Sequence, residues 1–398
     1  MPLYKNKNIY LIFANTLAGI ISVSLLVPAL PVIAREFSLS QKQIGLLITS
    51  YTLPGVLFGL FMGVFADKFG RKALMVPSLL LFGIAGGSIY WLDDFFWINV
   101  FRFAQGIGGA ILPAISVVLI GDLFHEGIRM RVMGLNAVVL SFGTAFFPLL
   151  GGMLATSGWN APFLVYWAAL PLAAAVAFFL DEPPRKNHTH MGSYFRAAGN
   201  YIFARRSLLV FATGTAIFIL LYGGVLTYLT LYMDERFKMT PVAIGMVIAS
   251  ASIATALFSA FSHRMVAMMG AQRTISIGFV MFGATFFLIL TADSSNALFL
   301  PIFIFGGAMG MTIPLLQNIV TQLSPAEYRG LMSSLMGTMV RLGQTLGPMF
   351  LAITLYFGPL RMIFWVCAVF SIIMAVALSI FGGPLSDNHM GKTRERVV

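Results

Sequence analysis

Two arginines lie inside long apolar runs, and a purely structural role is harder to explain for them than for the other residues of these runs. Arg102 lies in FRFAQGIGGA and Arg341 lies in MVRLGQTLGP. A guanidinium is costly in an apolar environment, so an arginine there normally faces a partner, a cavity or a bound polar ligand. We therefore predict that Arg102 and Arg341 line a binding site, together with the neighbouring amides Gln105 and Gln344.

Each arginine also has a structural alternative that the sequence leaves open. Arg102 lies near one end of its run, where a long side chain can extend to the surface. Arg341 lies deeper in its run, where the alternative is a hydrogen bond to backbone carbonyls.

The carboxylates show a different pattern, because none of the 14 acidic residues falls in the middle of an apolar run. A proton-driven process usually depends on a buried carboxylate. Proton uptake would therefore have to use acids near the ends of the runs, or be absent. These candidates are Asp67 and Asp122 at one surface, and Glu36, Asp234 and Glu235 at the other.

The overall composition excludes several classes of protein. Hydrophobic residues make up 59% of the chain and charged residues 10%, against about 25% charged in a typical soluble domain. The net charge of +11 is spread between apolar runs and forms no continuous patch, which argues against nucleic-acid binding. The single cysteine rules out a disulfide or Cys-based metal site, and no nucleophile–base pair suggests an enzyme. We expect no cofactor.

The apolar runs predict an all-α integral membrane protein with twelve transmembrane helices. A spanning helix needs about 20 predominantly apolar residues, and the first run is too long for a cleaved signal. The predicted spans are 9–33, 43–66, 73–92, 97–122, 132–156, 161–180, 208–232, 241–262, 273–292, 296–323, 331–356 and 360–382.

The distribution of basic residues predicts the orientation of these spans. Connections on the same side as the N-terminus hold 18 of the 25 Lys and Arg residues, whereas the opposite connections hold 5. Basic residues accumulate in cytoplasmic loops. Both termini are therefore predicted to be cytoplasmic, in a protein of the cell (inner) membrane.

An internal repeat divides the chain. At a constant offset of 200 residues, REFSLSQKQIGLLITS matches ERFKMTPVAIGMVIAS, and the offset continues through Gly106/Gly306 and Pro148/Pro348. We therefore predict two pseudo-symmetric six-helix bundles. The predicted parts are an N-terminal bundle at 1–180, a cytoplasmic linker at 181–207, a C-terminal bundle at 208–382 and a cytoplasmic tail at 383–398. The linker is either unstructured or includes a short basic interfacial helix.

Two parallel six-span repeats with a long central loop resemble the major facilitator superfamily. The segment GVFADKFGRK, with Gly63, Asp67, Gly70 and Arg71, resembles the cytoplasmic-loop signature of that family. The resemblance implies that Asp67 faces the start of span 11 and that Arg71 reaches Asp122, together stabilising an outward-open state. The alternative is an ordinary basic loop with an N-capping aspartate.

The segment GTAFFPLLGG in span 5 resembles the antiporter signature of the drug-exporter branch of this family, and part of the pattern recurs in span 11. Small residues allow close helix packing, and proline loosens the helix. Phe147 departs from the pattern, because the family usually has glycine there. The residues that this likeness assigns to conformational gating are Gly143, Pro148, Gly151, Gly152, Gly343, Gly347 and Pro348.

Polar residues elsewhere in the predicted spans complete the candidate substrate site. Each of them is also a candidate for an interhelical hydrogen bond. Besides the two arginines and their neighbouring glutamines, they are Asn15, Asn136, Tyr222, Tyr228, Gln317 and Asn318.

The resemblance implies a secondary transporter, with efflux of small amphipathic compounds by rocking-bundle alternating access. A proton gradient or another ion gradient would drive it. One alternative is a specific transporter of an anionic or neutral metabolite, with Arg102 and Arg341 as counter-charges. Another is a membrane receptor or scaffold that does not transport. The expected partners are a small-molecule substrate and the lipid bilayer, and the expected state is a monomer.

Overall fold

The computed structural model describes residues 6–182, 199, 201–323 and 328–386, with the backbone alone at 60–68, 126, 329–330, 384 and 386. Twelve long helices run through this part of the chain. In order, α1–α12 are Lys7–Glu36, Leu46–Phe69, Arg71–Trp91, Phe95–Leu123, Glu126–Ala155, Ala161–Phe179, Arg205–Phe237, Pro241–Met269, Ala271–Thr291, Asn296–Gln322, Arg329–Thr354 and Arg361–Phe381.

Ten of these helices are long and apolar enough to cross a membrane. The other two, α2 and α11, contain 24 and 26 residues, which is longer than the roughly 20 residues that a bilayer requires. The predicted fold class is therefore confirmed.

Several helices extend beyond their predicted ends. Helix α5 begins at Glu126, whereas the predicted span begins at 132, and α7 covers Arg205–Phe237, whereas the prediction is 208–232. The prediction followed only the apolar residues. Charged residues at helix ends can lie in the headgroup region while the backbone remains helical.

Two helices of the N-terminal half are interrupted next to a proline. In α1, a 3-10 turn at Val27–Ala29 separates two α-helical parts, with Pro28 inside the turn. In α4, Ala110 and Ile111 separate the α-helical part that ends at Gly109 from the part that begins at Leu112. Each break frees backbone carbonyls that need partners within the protein.

The same helix pairings occur in both halves of the chain. Helices α1–α5, α2–α4 and α3–α6 pack in the first half, and α7–α11, α8–α10 and α9–α12 pack in the second. The largest contacts between the halves are α2 with α11 and α5 with α8. The 200-residue offset makes α2 equivalent to α8 and α5 equivalent to α11. The two contacts, called seams below, are therefore pseudo-symmetric.

Glycines allow close contacts at equivalent positions in the two halves. A side chain at Gly106 would collide with the carbonyl of Tyr51, and a side chain at Gly306 with the carbonyl of Ala251. The two contacts differ by the same 200-residue offset. The repeat seen in the sequence therefore corresponds to a repeated packing geometry.

Most of the predicted linker lies outside the described residues, and so does residue 387 onward of the predicted tail. The interfacial helix suggested for 181–207 stays a prediction. Its last residues, from Arg205, already belong to α7.

Gly306→Ala tests the packing role of this glycine. The added methyl would clash with backbone rather than with a movable side chain, and overpacking costs about 1–3 kcal/mol. We expect a lower unfolding temperature in detergent. Gly337→Ala is the control, because a side chain there meets nothing within 4 Å. Equal unfolding temperatures for the two variants would contradict the packing assignment.

Candidate functional site

Arg341 connects the two halves near the middle of the helix bundle. Its Nη2 donates to the carbonyl of Ala110, at 3.0 Å, and lies 3.5 Å from the carbonyl of Gly109. Its aliphatic part lies against Gly55 of α2, where any side chain would collide with it. The backbone hydrogen bond left open by the sequence is therefore present. Arg341 is also only half-buried, so it lines the interface as well.

The carbonyls that Arg341 binds are available because of the break in α4. In a continuous helix, the Gly109 carbonyl would accept a hydrogen bond from the backbone N–H of residue 113. That residue is Pro113, which has no N–H. Arg341 therefore supplies, from the other half of the protein, a donor that α4 lacks.

Three threonines also link α2 with α11. Thr345 lies one turn after Arg341 on α11, and Thr49 and Thr52 lie on α2. The hydroxyl of Thr345 lies 2.9 Å from that of Thr52, and the Thr49 hydroxyl lies 3.4 Å from the Thr345 carbonyl. These neutral contacts are few and individually weak. Apart from the bonds of Arg341, the described polar contacts between α2 and α11 are therefore weak enough to break when the two helices separate.

Arg102 lies inside the N-terminal half, with none of its surface exposed. Its guanidinium donates to the Gln105 side chain at 2.7 Å and to the carbonyls of Ser22 and Leu47 at 3.3 Å. It also lies over the ring of Tyr51, 4.6 Å from the centroid. The alternative that Arg102 extends to the surface is therefore wrong. Its assignment as a substrate contact stays a prediction, because in this conformation its hydrogen bonds go to residues of its own half.

The break in α1 explains why a cation lies at this position. Leu26 donates to the carbonyl of Val23 rather than to that of Ser22, as a regular α-helix would require. The freed Ser22 carbonyl accepts from Arg102 and, at 2.8 Å, from the Tyr166 hydroxyl. Arg102 thus completes the hydrogen bonding of a broken helix, as Arg341 does.

Three more predicted substrate contacts are fully buried. Asn15 donates to the Leu112 carbonyl at 2.6 Å and to the Ser116 hydroxyl at 2.8 Å. Gln105 accepts from Arg102, and the Tyr228 hydroxyl donates to the Pro348 carbonyl at 2.9 Å. Asn15 and Tyr228 therefore form interhelical hydrogen bonds, whereas Gln105 binds Arg102 of its own helix. The Oδ1 of Asn15 and the Nε2 of Gln105 are buried without a hydrogen-bond partner among the described residues, and the assignment of these three residues to substrate binding stays a prediction.

The remaining polar candidates are at least partly accessible. Asn136 is half-buried and accepts a hydrogen bond from Thr16, at 2.7 Å. Tyr222 and Gln344 are half-buried, and Gln317 and Asn318 are exposed. Arg341 and these five residues are the predicted substrate contacts that keep exposed surface in this conformation.

Cross-half contacts also close the end of the bundle that carries Ser38 and Lys238, which is the predicted external end. Arg35 forms an ion pair with Asp234, and Gln41 donates to Glu235 at 2.7 Å. The ammonium of Lys42 lies 3.3 Å from the ring centroid of Tyr356. A cleft of about 470 Å³ surrounds the first two contacts.

The gating prolines form a second, apolar closure at this end. Gly45 packs against Pro348, and Gly245 packs against the backbone of Pro148, again at a 200-residue offset. Gly152 lies against Pro241 in the same α5–α8 seam. Each seam therefore pairs a glycine of one half with a proline of the other, which the glycine–proline pattern alone did not reveal.

The other gating glycines pack within their own halves. Gly151 meets the backbone of Leu25 and Gly143 meets Leu17, whereas Gly343 and Gly347 meet α7. The ring of Phe147, which stands in place of a family glycine, is buried. Helices α1 and α5 still pack together, because Gly143 and Gly151 provide the close approach on either side.

At the opposite, predicted cytoplasmic end, Arg71 and Asp122 form an ion pair of 3.1 Å that is about nine-tenths buried. The carboxylate of Glu182 accepts from the backbone N–H groups of Arg71 and Lys72, at 2.7 and 3.0 Å, and so caps α3. Its N-cap, Gly70, has a φ of 99°, which favours glycine. The side chain of Asp67 and the surroundings of Gly63 lie outside the described residues, so their predicted gating role stays a prediction.

Asp181 forms a further contact beside this cluster. It accepts from Asn8 at 3.0 Å and pairs with Lys7 at 2.8 Å, and these contacts hold the pKa of its carboxyl below the usual range. Lys7 and Asp181 are both more than half exposed. Asp122, Asp181 and Glu182 each bind residues of the N-terminal half.

Sequence reasoning missed several residues that hold the two halves together. Thr345, Gly55 and the Arg35–Asp234 pair carried no motif, although Arg35 and Glu235 occupy equivalent positions of the repeat. Ser38 and Lys238 are also equivalent, and both have a left-handed backbone, with φ of 51° and 50°. Among the described residues, no cluster of His, Cys, Asp and Glu could hold a metal ion.

Comparisons with known proteins identify the family. The model of the Major Facilitator Superfamily matches residues 12–240 and 211–396. The chain therefore belongs to the major facilitator superfamily of membrane transporters, which confirms the predicted resemblance. It is a multi-pass membrane protein, and its partners include a small-molecule substrate.

Individual relatives and structures agree with this assignment. The bacillibactin exporter of Bacillus subtilis (strain 168) is 26% identical over 86% of this chain and 88% of its own length. The quinolone resistance protein NorA of Staphylococcus aureus is 23% identical over 86% and 89%. An inward-facing bacterial homologue of the lysosomal transporter Spinster superposes with a TM-score of 0.79 at 18% identity, covering 97% of this chain and 98% of that one.

Arg102→Gln tests the buried network. The shorter amide cannot reach all three acceptors, and a lost hydrogen bond from a charged group costs about 1.5–3 kcal/mol. We expect a clearly lower unfolding temperature in detergent, with substrate affinity unchanged in the protein that remains folded. Weaker substrate binding at an unchanged unfolding temperature would instead make Arg102 a substrate contact.

Proposed function

We propose that this protein is a secondary transporter that exports small amphipathic compounds by alternating access. The observation that carries the proposal is the pair of pseudo-symmetric seams, α2–α11 and α5–α8, which form the largest contacts between the halves. Each seam has a glycine–proline contact at the predicted external end. The two halves can rock about such seams because few polar bonds cross them in the part of the chain whose side chains are described.

The relatives support the proposed direction of transport and the proposed substrate class. The proteins that this chain resembles include a multidrug resistance protein of Bacillus subtilis (strain 168), 25% identical, as well as the bacillibactin exporter. These are named for export or resistance. We infer export for this chain, from the inner side of the cell membrane, with both termini in the cytoplasm as the basic loops predict.

The electrostatics of the interface narrow the substrate class. Arg341 is half-buried between the halves, and its described hydrogen bonds go to neutral carbonyls. Its positive charge is therefore not cancelled by these partners, and a lipophilic cation would be repelled at low dielectric. Neutral and anionic amphipathic compounds fit this site best.

Coupling to protons would use carboxylates that bind across the halves. Among the described residues, Asp234 and Glu235 bind across them, to Arg35 and Gln41. A proton on Asp234 removes its attraction to Arg35, which weakens closure of the predicted external end. External protons would then favour the state that releases substrate to the outside.

Arg341→Gln tests the substrate assignment. Loss of the charge should reduce transport of an anionic amphipathic compound by about tenfold, which corresponds to about 1.4 kcal/mol, close to the lower limit of the range for a charged hydrogen bond. Transport of a neutral analogue should change much less. The measurement is initial-rate uptake into inside-out proteoliposomes. Arg264→Gln, an exposed arginine of α8, is the control. Undiminished transport of the anion would refute the assignment.

Asp234→Asn tests the coupling assignment. The amide cannot carry the charge that attracts Arg35, so we expect substrate exchange without a gradient to continue while stimulation by a pH gradient is lost. Flux is measured at several external pH values with the internal pH held constant. Asp293→Asn, another exposed carboxylate of the predicted external end, should behave like the wild type. Full gradient stimulation in Asp234→Asn would exclude Asp234 as the coupling group.

A specific transporter of one anionic metabolite is the second candidate function. It is favoured by the presence of Arg341 at the interface and by the lack of a carboxylate in the middle of the predicted spans. A panel of neutral and anionic compounds separates the two functions. Transport of a single anion, with no competition from other amphipathic compounds, would favour the second candidate.

A further inference from the structure

A lateral cleft of about 520 Å³ lies outside the interface, between α7, α11 and α12. Its walls are almost entirely apolar. Helix α7 contributes Leu208, Ala212 and Ile219, α11 contributes Met339, and α12 contributes Phe370 and Met374.

Small residues on α7 create the cleft. Ala212 and Ala216 lie one turn apart and line it opposite larger side chains of the neighbouring helices. Thr215 also lines the cleft, but its hydroxyl donates to the Met339 carbonyl at 3.0 Å. With its polar group already bonded, this surface is suited to a hydrocarbon ligand rather than a polar one.

The cleft has the length of one membrane leaflet. The wall formed by α7 runs from Leu208 to Ile219, which is about 16 Å at about 1.5 Å per residue. Half of the roughly 30 Å hydrocarbon core is about 15 Å. Leu208 and Ala212 are exposed, so the cleft is open at the side. An acyl chain of a lipid would fill the cleft from its Leu208 end, near the membrane surface, to the middle of the bilayer.

Two arginines stand at the predicted cytoplasmic end of the cleft, where a lipid headgroup would lie. Helix α7 begins at Arg205, and Arg205 and Arg206 fall between the lining residues Phe203 and Leu208. Arg205 and Phe203 are both exposed. The helix N-terminus adds partial positive charge at the same point. The apolar cleft and its basic rim are therefore complementary to an acyl chain and an anionic headgroup.

We propose that this cleft binds an anionic phospholipid of the inner leaflet, with one acyl chain along α7 and the phosphate at Arg205. The site is separate from the interface between the halves and does not depend on the proposed export function. Bound lipid would contact both α7 and α11, which carries Arg341, so it would stabilise the packing of these two helices.

Native mass spectrometry of the full chain in detergent tests the proposal. Phosphatidylglycerol and phosphatidylethanolamine with identical acyl chains are added in turn, and the fraction of protein carrying lipid is measured. A basic residue near the membrane surface favours an anionic headgroup by about 1 kcal/mol, or about fivefold. We expect the wild type to prefer phosphatidylglycerol, and Arg205→Gln to lower that preference by about fivefold. The matched control Arg264→Gln should keep the preference.

A second pair of variants tests the position of the acyl chain. Ala212→Trp fills the cleft, so it should reduce the retention of both lipids severalfold, whereas Ala174→Trp on the exposed face of α6 should not. Ala212→Leu serves the same purpose if the tryptophan variant folds poorly. Unchanged retention in the Ala212 variants would overturn the proposal. So would an unchanged headgroup preference in Arg205→Gln, displacement of the lipid by inorganic phosphate, or displacement by a transported compound.

Discussion

Backbone groups that leave a helix inside a membrane must find partners within the protein, and this constraint explains the positions of Arg102 and Arg341. Breaks in α1 and α4, each beside a proline, free the carbonyls of Ser22 and Gly109. Arg102 serves the first break from within the same half, and Arg341 serves the second from the other half. Because its partners lie in its own half, Arg102 is a structural cation. The partners of Arg341 lie in the other half, so Arg341 can respond when the halves move.

The contacts between the halves combine close packing with bonds that are easily exchanged. Glycine–proline pairs bring the helices together at the predicted external end, and threonine hydroxyls and Arg341 link them deeper in the bundle. The charged contacts lie at the exposed rim, where an ion pair contributes about 0–1 kcal/mol. A transporter has to break its contacts in every cycle, so strong buried ion pairs across the seams would be a disadvantage. The strongest ion pair described, Arg71–Asp122, lies within one half.

Much of the architecture is encoded in regular patterns of the sequence. Twelve apolar runs predicted the twelve helices, and the 200-residue offset predicted the equivalence of the halves, which recurs in the contacts of Gly106 and Gly306. Helix ends were less accurate, because the polar ends of α5 and α7 continue beyond the apolar residues. Of the predicted substrate contacts, some are buried among neighbouring helices and others keep exposed surface. Polarity within a span marks a residue that needs a partner, but a neighbouring helix and a substrate both meet that need.

The sequence by itself determined that this is a twelve-helix membrane protein with two related halves, because apolar length, charge asymmetry and repetition are properties of the chain alone. It also determined that Arg102 and Arg341 require polar partners. Only the tertiary structure decided what those partners are, because the position of each arginine in its apolar run favoured exposure of Arg102, yet the folded chain encloses Arg102 and leaves Arg341 at the interface. Packing between segments distant in sequence creates that difference, and no local pattern records it.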